Sequence, residues 1–346
     1  MRYSYDVIIS GAGPSGLHTA KLCKDKGYSV LVLEEHDRIG EPVHCSGLVS
    51  KRVAEFVPLA EIRNAIENEI NSAVIHSPTS SFELRKRRTA AFVINRVKFD
   101  SYLANLLGGG NVLKARVLDF GIKKRMVVKT SRGRFRSEML IGCDGANSLV
   151  AGKCGQRPAE LVNGVIGINK GRNYSDNVDI YFDKRRIADG FFWRIPRGKT
   201  TEFGAFGRGV NFRYLEEFFG TGFGKKYGGI IPIGPVRKTY FPRVLLAGDA
   251  AGLTKPWSGG GVIFSMESSR AAARAIDKAF RFDDFSENTL SAYERMWKER
   301  LERPISLGLF SRKMLKIMGN FHIEALVKMA KVLPKNWMDM DFIFVQ

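Results

Sequence analysis

Cysteine is scarce in this chain: four in 346 residues, at Cys23, Cys45, Cys143 and Cys154, with no CxxC spacing. A disulfide framework or a thiolate zinc site needs paired, closer cysteines, so neither is expected and no metal is assigned. No apolar run approaches the roughly 18 residues of a membrane-spanning helix, and no cleavable leader precedes Tyr5. A cytoplasmic protein is expected. Internal repeats and low-complexity linkers are missing too. Acidic residues are in deficit, 35 against 55 basic ones, giving a net charge of +20. Such an imbalance speaks to partners: nucleic acid, an anionic membrane surface or an acidic protein. No nucleic-acid reader motif and no basic stripe with interleaved aromatics occurs, which sets nucleic acid aside. Basic groups such as Arg85-Lys86-Arg87-Arg88 and Lys184-Arg185-Arg186 form either a plain solvated surface or a footing on the inner face of a membrane.

The N-terminus is richer in signal. Tyr5 to Ser10 is a short β-like run, and Gly11-Ala12-Gly13-Pro14-Ser15-Gly16 follows it. A helical pattern carrying Leu17, Ala20, Leu22 and Cys23 comes next, ended by Gly27, and Ser29 to Leu33 is a second apolar strand. This is strand, GxGxxG, helix, strand: the order that binds a dinucleotide. Gly11 permits the tight turn, Gly13 lets a pyrophosphate approach the backbone, and Gly16 lets the helix pack on the strand. The helix N-terminus offers free N–H groups and a positive dipole end to phosphate. Glu34 stands 18 residues after Gly16, where a carboxylate can accept from ribose hydroxyls. The acidic pair Glu34-Glu35 disfavours a 2′-phosphate, leaving FAD or NAD.

Two later strand ends decide between them. "EMLIGCDGANS" (138–148) runs into Asp144-Gly145 with Asn147 and Ser148 as capping types. "VLLAGDAAGLTKPWSGGG" (244–261) runs into Gly248-Asp249, passes Pro256 and Trp257, and ends in Gly259, Gly260 and Gly261 before a helix from about Val262. An NAD dehydrogenase has no use for two further strand-plus-carboxylate turns, whereas FAD has a ribityl chain and a ring to hold. Asp249 can accept from a ribityl hydroxyl. Bare glycines let the next helix aim its N–H groups at the flavin's pyrimidine edge, where two-electron reduction places negative charge.

GxGxxG, Asp144-Gly145 and "GDAAGLTKPWSGGG" together resemble the flavoprotein group that contains the aromatic hydroxylases. "INRVKFDSYLANLL" (94–107) resembles that group's arginine helix, which implies that Arg96 approaches the FAD phosphates. "EPVHCSGLVS" (41–50) resembles more specifically the geranylgeranyl reductase family, archaeal digeranylgeranylglycerophospholipid reductases included. The family's P-x-x-Y-x-W-x-F-P substrate motif is similar to "ADGFFWRIP" (188–196): Trp193 and Pro196 match, while Ala188, Phe191 and Ile195 depart from it. Phe191, in place of the family's tyrosine, lacks the hydroxyl of a family-typical hydrogen bond. The resemblance implies cofactor contacts from Cys45, Ser46, Gly47, Leu48 and Val117 as well, and substrate contacts from Phe191, Trp193, Pro196 and Trp257.

The expected architecture is α/β: a Rossmann-like FAD-binding domain (1–61, 95–155 and 236–285), an inserted antiparallel-sheet substrate domain (62–94 and 156–235) and a helical C-terminal region (286–346). Three β-like runs, Val112–Leu118, Met126–Thr130 and Phe135–Ile141, read as a meander attached to the main sheet. Pro304 and Pro334 read as interruptions of a helical stretch reaching about Val332. "GFFW" (190–193), Phe203 and Phe206 are expected on one sheet face over the flavin, as an apolar wall for a polyprenyl chain.

The resemblance implies FAD-dependent reduction of double bonds in geranylgeranyl chains of isoprenoid lipids. An isolated alkene needs a hydride at one carbon and a proton at the other. Cys45 is the proton-donor candidate, its pKa open to tuning by His44 or a helix end, and His44 is a second candidate acid. The plainer alternative is that Cys45 packs or lends its backbone to the cofactor. A monooxygenase of an aromatic or polyprenyl substrate and a flavin electron carrier are the competing functions. No second nucleotide fingerprint is present, which points to an external reduced donor such as ferredoxin. "FSRKMLKIMGNFHIEALVKMAKVL" (310–333) mixes apolar and basic positions at helical spacing, suited to an anionic membrane surface or to packing on the domain.

Overall fold

The computed structural model describes residues 4–331 and 340–341. In chain order its strands and helices begin with β1 (Ser4–Ser10), α1 (Pro14–Asp25), β2 (Val30–Glu34), β3 (Leu48–Ser50), β4 (Ile66–Ile70), β5 (Ser72–His76), β6 (Ser81–Arg85), β7 (Ala91–Ile94) and α2 (Arg96–Asn105). The middle of the chain gives β8 (Val112–Lys114), β9 (Val117–Ile122), β10 (Met126–Thr130), β11 (Gly133–Gly142), α3 (Leu149–Lys153), β12 (Glu160–Asn173), β13 (Asn177–Tyr181), β14 (Phe191–Pro196), β15 (Gly198–Gly207), α4 (Phe212–Phe219) and β16 (Lys225–Ile233). The last third supplies β17 (Tyr240–Phe241), β18 (Val244–Leu246), α5 (Val262–Arg281), α6 (Glu287–Ile317) and α7 (Asn320–Ala330).

The first sheet runs β17-β18-β11-β1-β2-β8, with the β9–β10 hairpin carried on β11. β18, β11, β1, β2 and β8 pair in parallel. Their runs, such as Val7–Ile9 and Leu140–Ile141, are buried on both faces, as parallel strands covered by helices must be. Of the three expected β-like runs, the first splits into β8 and β9 around Ala115-Arg116, and the third is the central neighbour of β1. Parallel pairing of β11 with β1 sets Asp144 beside the GxGxxG turn: Cys143 N–H donates to the Ser10 carbonyl at 2.8 Å.

The second sheet runs β16-β12-β15-β14-β13-β5-β6 and is antiparallel apart from the β13–β5 pair. Residues 62–94 divide between two sheets. β5 and β6 extend this one, while β4 and β7 join β3 in a three-stranded sheet that carries the loop of Cys45.

Register overturns one expectation. Phe191 pairs with Phe206 and Trp193 with Gly204, so these four share one face. Phe203 lies an odd number of residues from Phe206, and side chains alternate along a strand, so it points the other way. There it packs on Phe219 and Phe223, with Phe192 stacked on Phe218 nearby, in a separate core under α4. Phe203 and Phe192 therefore belong to the back of the sheet, and Phe191, Trp193 and Phe206 to the front.

Pro304 does not interrupt α6, which runs through it from Glu287 to Ile317. Proline costs one backbone hydrogen bond inside a helix, and here the ring is buried among the contacts holding α6 to the body. Arg312, 4% exposed, lies over the Phe206 ring and donates to Asp189 Oδ2 at 2.8 Å. Burial would raise the Glu160 carboxyl, but Lys316, Arg312 and Arg208 outweigh it and hold it down at about 2. Val332 and Pro334 lie outside the described residues.

Candidate functional site

The GxGxxG turn sits between β1 and α1. Gly11 has φ +101°, and a Cβ there would meet the Cys143 carbonyl oxygen at 2.4 Å. At Gly16 a Cβ would meet the Gly11 carbonyl oxygen at 2.0 Å. Gly13 differs: a Cβ would find no atom within 4 Å. The open space lies at the N-terminus of α1, whose cap at Gly13 supplies no side chain and whose first residue is Pro14. This is the cradle a pyrophosphate fits. Ser15 is buried beneath it, its carbonyl accepting from Ser269 of α5 at 2.9 Å. Glu34, ending β2, holds the turn from below, with Ala12 N–H donating to Oε2 at 2.8 Å while Oε1 takes His36 at 2.7 Å. Glu35 is paired with Arg116 at 2.8 Å, next to Val117.

The other carboxylates divide their work. Asp144 closes α3, accepting from Ser148 Oγ at 2.5 Å and from Val150 N–H at 3.1 Å, with Gly145 at φ +78° between them. Asp249 has no side-chain partner among the described residues, and burial pushes its carboxyl up. A half-buried carboxylate with no donor of its own can accept one, and a ribityl hydroxyl is one. Gly261 sits beside it: a Cβ there would lie 2.9 Å from Asp249 Oδ1. Gly248 is as tightly enclosed, its Cβ position 2.8 Å from Ser15 Cβ. α5 begins at Val262 with no side-chain cap, so its N-terminal N–H groups face the same space.

The Cys45 loop, which leads into β3, brings a sulfur to the site. Gly47, packed on the Ile94 carbonyl, donates its N–H to Cys45 Sγ at 3.4 Å, and Ser46 Oγ accepts from Leu48 N–H at 3.3 Å. His44 is exposed and spent on structure: Nδ1–H donates to the Gly228 carbonyl of β16 at 2.5 Å. Arg96, the first residue of α2, is bound to Asp100 at 2.8 Å. Burial opposes its charge, but Asp100 and then the Cys45 sulfur raise its pKa, and its charge reaches Asp249. Thus Cys45, Arg96 and Asp249 converge. The Cys23 and Cys143 thiols are pushed up to about 12 by burial, and Cys154 to about 11, which makes them poor proton donors.

The front of the second sheet closes the site. Gly259, at φ +72°, meets Phe206 and Ile231 closely enough that a Cβ would stand 2.9 Å from Phe206 Cε2. Phe191 rests on Phe206, with ring centroids 5.4 Å apart, and on Trp193 at 5.9 Å. The aromatic wall and the glycine turn before α5 therefore touch. Pro196, at the end of β14, is buried but lies an odd number of residues from Trp193 and pairs with Thr201, so it belongs to the back of the sheet with Phe192 and Phe203 and not to the wall expected of it. Trp257 is placed elsewhere: Gly308 of α6 leaves room for its indole, which stands edge-on to Phe264 in the larger core, beside Pro256.

Two buried ionic groups escaped the sequence reading. Lys255, in the turn before Pro256, pairs with Asp341 at 3.0 Å, and Asp341 also accepts from Ser50. Arg197, one residue after Pro196, is bound by Glu67 and Glu202. Lys255 and Asp341 stand 86 positions apart and Arg197 and Glu67 stand 130 apart, so neither pair has a local signature.

The model for the NAD(P)-binding Rossmann-like domain matches residues 9–47, the cradle just described. The digeranylgeranylglycerophospholipid reductase of Methanocaldococcus jannaschii is 28% identical over 94% of this chain and 90% of its own length. One from Methanococcoides burtonii is 28% identical over 99% of this chain and 92% of its own. Among solved structures, a geranylgeranyl bacteriochlorophyll reductase-like protein of Thermoplasma acidophilum superposes with TM-score 0.90 at 23% identity, covering 100% of this chain and 94% of that one. A "probable FAD-dependent monooxygenase" of Pseudomonas aeruginosa superposes at 0.72 with 18% identity, covering 94% of this chain and 100% of that one, a likeness of fold. The chain is thus similar, over nearly its whole length, to proteins named digeranylgeranylglycerophospholipid reductase.

Proposed function

We propose that this chain is an FAD-dependent reductase that saturates carbon–carbon double bonds in geranylgeranyl chains of isoprenoid, archaeal-type membrane lipids or their precursors. The observation that carries it is the contact between the apolar wall of Phe191, Trp193 and Phe206 and the glycine turn Gly259–Gly261. The residues present fit FAD. Gly11, Gly13, Pro14, Ser15 and Gly16 would hold the pyrophosphate, Glu34 the ribose side, and Asp249 with the α5 N-terminus the ribityl chain and ring edge. FAD, when bound, supplies the electron pair. The chain's own part is to hold an alkene against an apolar wall, exclude water and deliver a proton, for which Cys45 is the candidate donor. Similarity to the two reductases, 28% identity over 94% and 99% of this chain, supports the lipid substrate.

The deciding experiment is anaerobic. The FAD-loaded, chemically reduced protein is mixed with a geranylgeranyl glycerophospholipid, and the lipid is weighed by mass spectrometry. A gain of two hydrogens for each double bond reduced is expected. Unchanged lipid from flavin-replete protein sinks the proposal. Oxygen-dependent hydroxylated product would establish the monooxygenase reading instead.

The partners proposed follow from charge and from one exposed ridge. A net charge of +20 suits an acidic one-electron donor of the ferredoxin type. No helix among the described residues is long and apolar enough to cross a membrane. Yet Phe310, Ile317 and Phe321 are 62%, 72% and 81% exposed along α6 and α7, with Leu326 and Met329 following. Lys313, Lys328, Lys331 and the Lys184-Arg185-Arg186 turn flank them, and Lys184 N–H is held by Asn320 of α7 at 2.7 Å. An apolar ridge with a basic border fits an anionic bilayer surface. The protein is expected to sediment with vesicles rich in anionic lipid and to be released by high salt. Phe321→Ser should weaken that binding about tenfold. Equal binding to zwitterionic vesicles, or none to either, would refute the surface.

A further inference from the structure

The wall that faces the substrate and the loop that carries Cys45 lie on different sheets, yet one buried chain of hydrogen bonds joins them. Trp193 Nε1–H donates to Glu202 Oε1 at 2.9 Å. Glu202, 1% exposed, accepts on its other oxygen from Arg197 Nη1 at 2.7 Å. The same Nη1 donates to the Ser46 carbonyl, next to Cys45, and Nη2 donates to the Ile94 carbonyl at 3.2 Å. Arg197 Nε donates to Glu67 Oε2 at 2.8 Å, and the other Glu67 oxygen takes Asn95 Nδ2 at 3.0 Å. Asn95 caps α2, accepting from Lys98 N–H, and the first residue of that helix is Arg96.

We infer that Arg197 and Glu202 are positioning residues, through which the seating of an apolar chain against Trp193 sets the placement of the Cys45 loop and of Arg96. The inference rests on the wall being the substrate's seat. A planar guanidinium satisfies four acceptors here that no lysine could span. Two of them, Ser46 and Ile94, are main-chain carbonyls, so a shift of Arg197 moves backbone rather than a free side chain. Glu202 reads the indole directly. Gly204, paired with Trp193 across the strands, leaves room for the ring, whose Cζ2 would stand 2.0 Å from a Cβ there. The indole is thereby held flat over the strand, with its N–H aimed at Glu202.

The test follows Cys45 as a reporter in the FAD-bound protein, in a Cys154→Ser background because Cys23 and Cys143 are buried. Alkylation of Cys45 is timed by mass spectrometry, and FAD release is timed by fluorescence. Trp193→Phe keeps the ring and loses the N–H, and Glu202→Gln keeps the volume and loses the charge. Each is expected to speed Cys45 alkylation about fivefold or more, the size of effect that follows loss of a charge-assisted hydrogen bond. The double variant should be no faster than Glu202→Gln alone, because both act through one linkage. Arg197→Lys should exceed either. Alkylation at the wild-type rate, or additive effects in the double variant, would overturn the linkage. These measurements need no lipid, so they fail or succeed apart from the substrate assignment. Added geranylgeranyl lipid should slow alkylation in the wild type and not in Glu202→Gln. If it slows neither, the substrate assignment is what falls; equal slowing in both overturns the linkage.

Discussion

Gly13→Val is expected to give a well-folded but colourless protein, whereas Gly16→Val should cripple the fold. The two glycines lie three positions apart in one motif and do different things. At Gly13 the backbone has φ −79° and ψ −179°, which any residue adopts, and an added Cβ meets nothing within 4 Å. The fold therefore has no need of a glycine there. The space is open because it lies at the N-terminus of α1, where orphan N–H groups face a phosphate. An isopropyl group would fill it and keep the pyrophosphate from the helix end. FAD affinity should fall about a hundredfold or more, with the unfolding temperature of the cofactor-free protein hardly changed. At Gly16 a Cβ would stand 2.0 Å from the Gly11 carbonyl oxygen and 3.2 Å from Ile9 Cγ2. Neither neighbour can move without parting α1 from β1, a clash costing on the order of 3 kcal/mol or more. Visible absorbance of the purified variants and thermal unfolding without flavin separate the two effects. Yellow Gly13→Val protein with unaltered affinity would remove the cradle from the site.

That contrast marks what the sequence could disclose. The N-terminal βαβ unit is legible because its determinants are local: an apolar strand, spaced glycines, an amphipathic helix and an acid all within residues 5–35. The same holds for the turns ending in Asp144 and Asp249, each read from the strand before it. Legibility fades where the answer depends on which strands pair. β11 reads as one strand of a meander attached to the main sheet, and only its parallel pairing with β1 makes it central. Phe203 and Phe206 look alike in composition, and the pleat alone sends them to opposite faces. Pro304 reads as a break, but packing of α6 on the body keeps the helix whole, since tertiary contacts outweigh one lost backbone bond. The Arg197 network lies furthest from view. Its guanidinium reaches Ser46 across 151 positions, and a lone arginine after a proline carries no sign of two carboxylates waiting for it.

Cys45→Ala is expected to lower the rate of double-bond reduction by about 10²- to 10⁴-fold, the range set by loss of a positioned acid, while FAD content stays unchanged. An unactivated alkene offers no carbonyl for the protein to polarise, so the proton must come from a group held against the carbon. Of the described cysteines, Cys23 and Cys143 are sealed in the core, and Cys154 lies beyond α3, away from the wall. Cys45 alone stands beside Arg96 on the loop that Arg197 fastens to the substrate sheet. Its contacts are light: Gly47 N–H leans on the sulfur at 3.4 Å, a bond whose loss the turn tolerates because Gly47 is also held through Ile94 N–H at 2.9 Å. The fold and cradle should thus survive the substitution, leaving chemistry as the casualty. His44 makes the matched control, one residue away and able to carry a proton. Its Nδ1–H is committed to the Gly228 carbonyl at 2.5 Å, and the side chain is turned toward β16. His44→Gln keeps a donor for that carbonyl and should change the rate by no more than about threefold. Single-turnover oxidation of the reduced flavin by geranylgeranyl lipid, followed by absorbance, reads both variants directly. If Cys45→Ala turns over at the wild-type rate and His44→Gln does not, the proton comes through the imidazole, and the thiol only packs. If both retain full rate, the donor is solvent reaching the wall, and the loop serves to seat the cofactor.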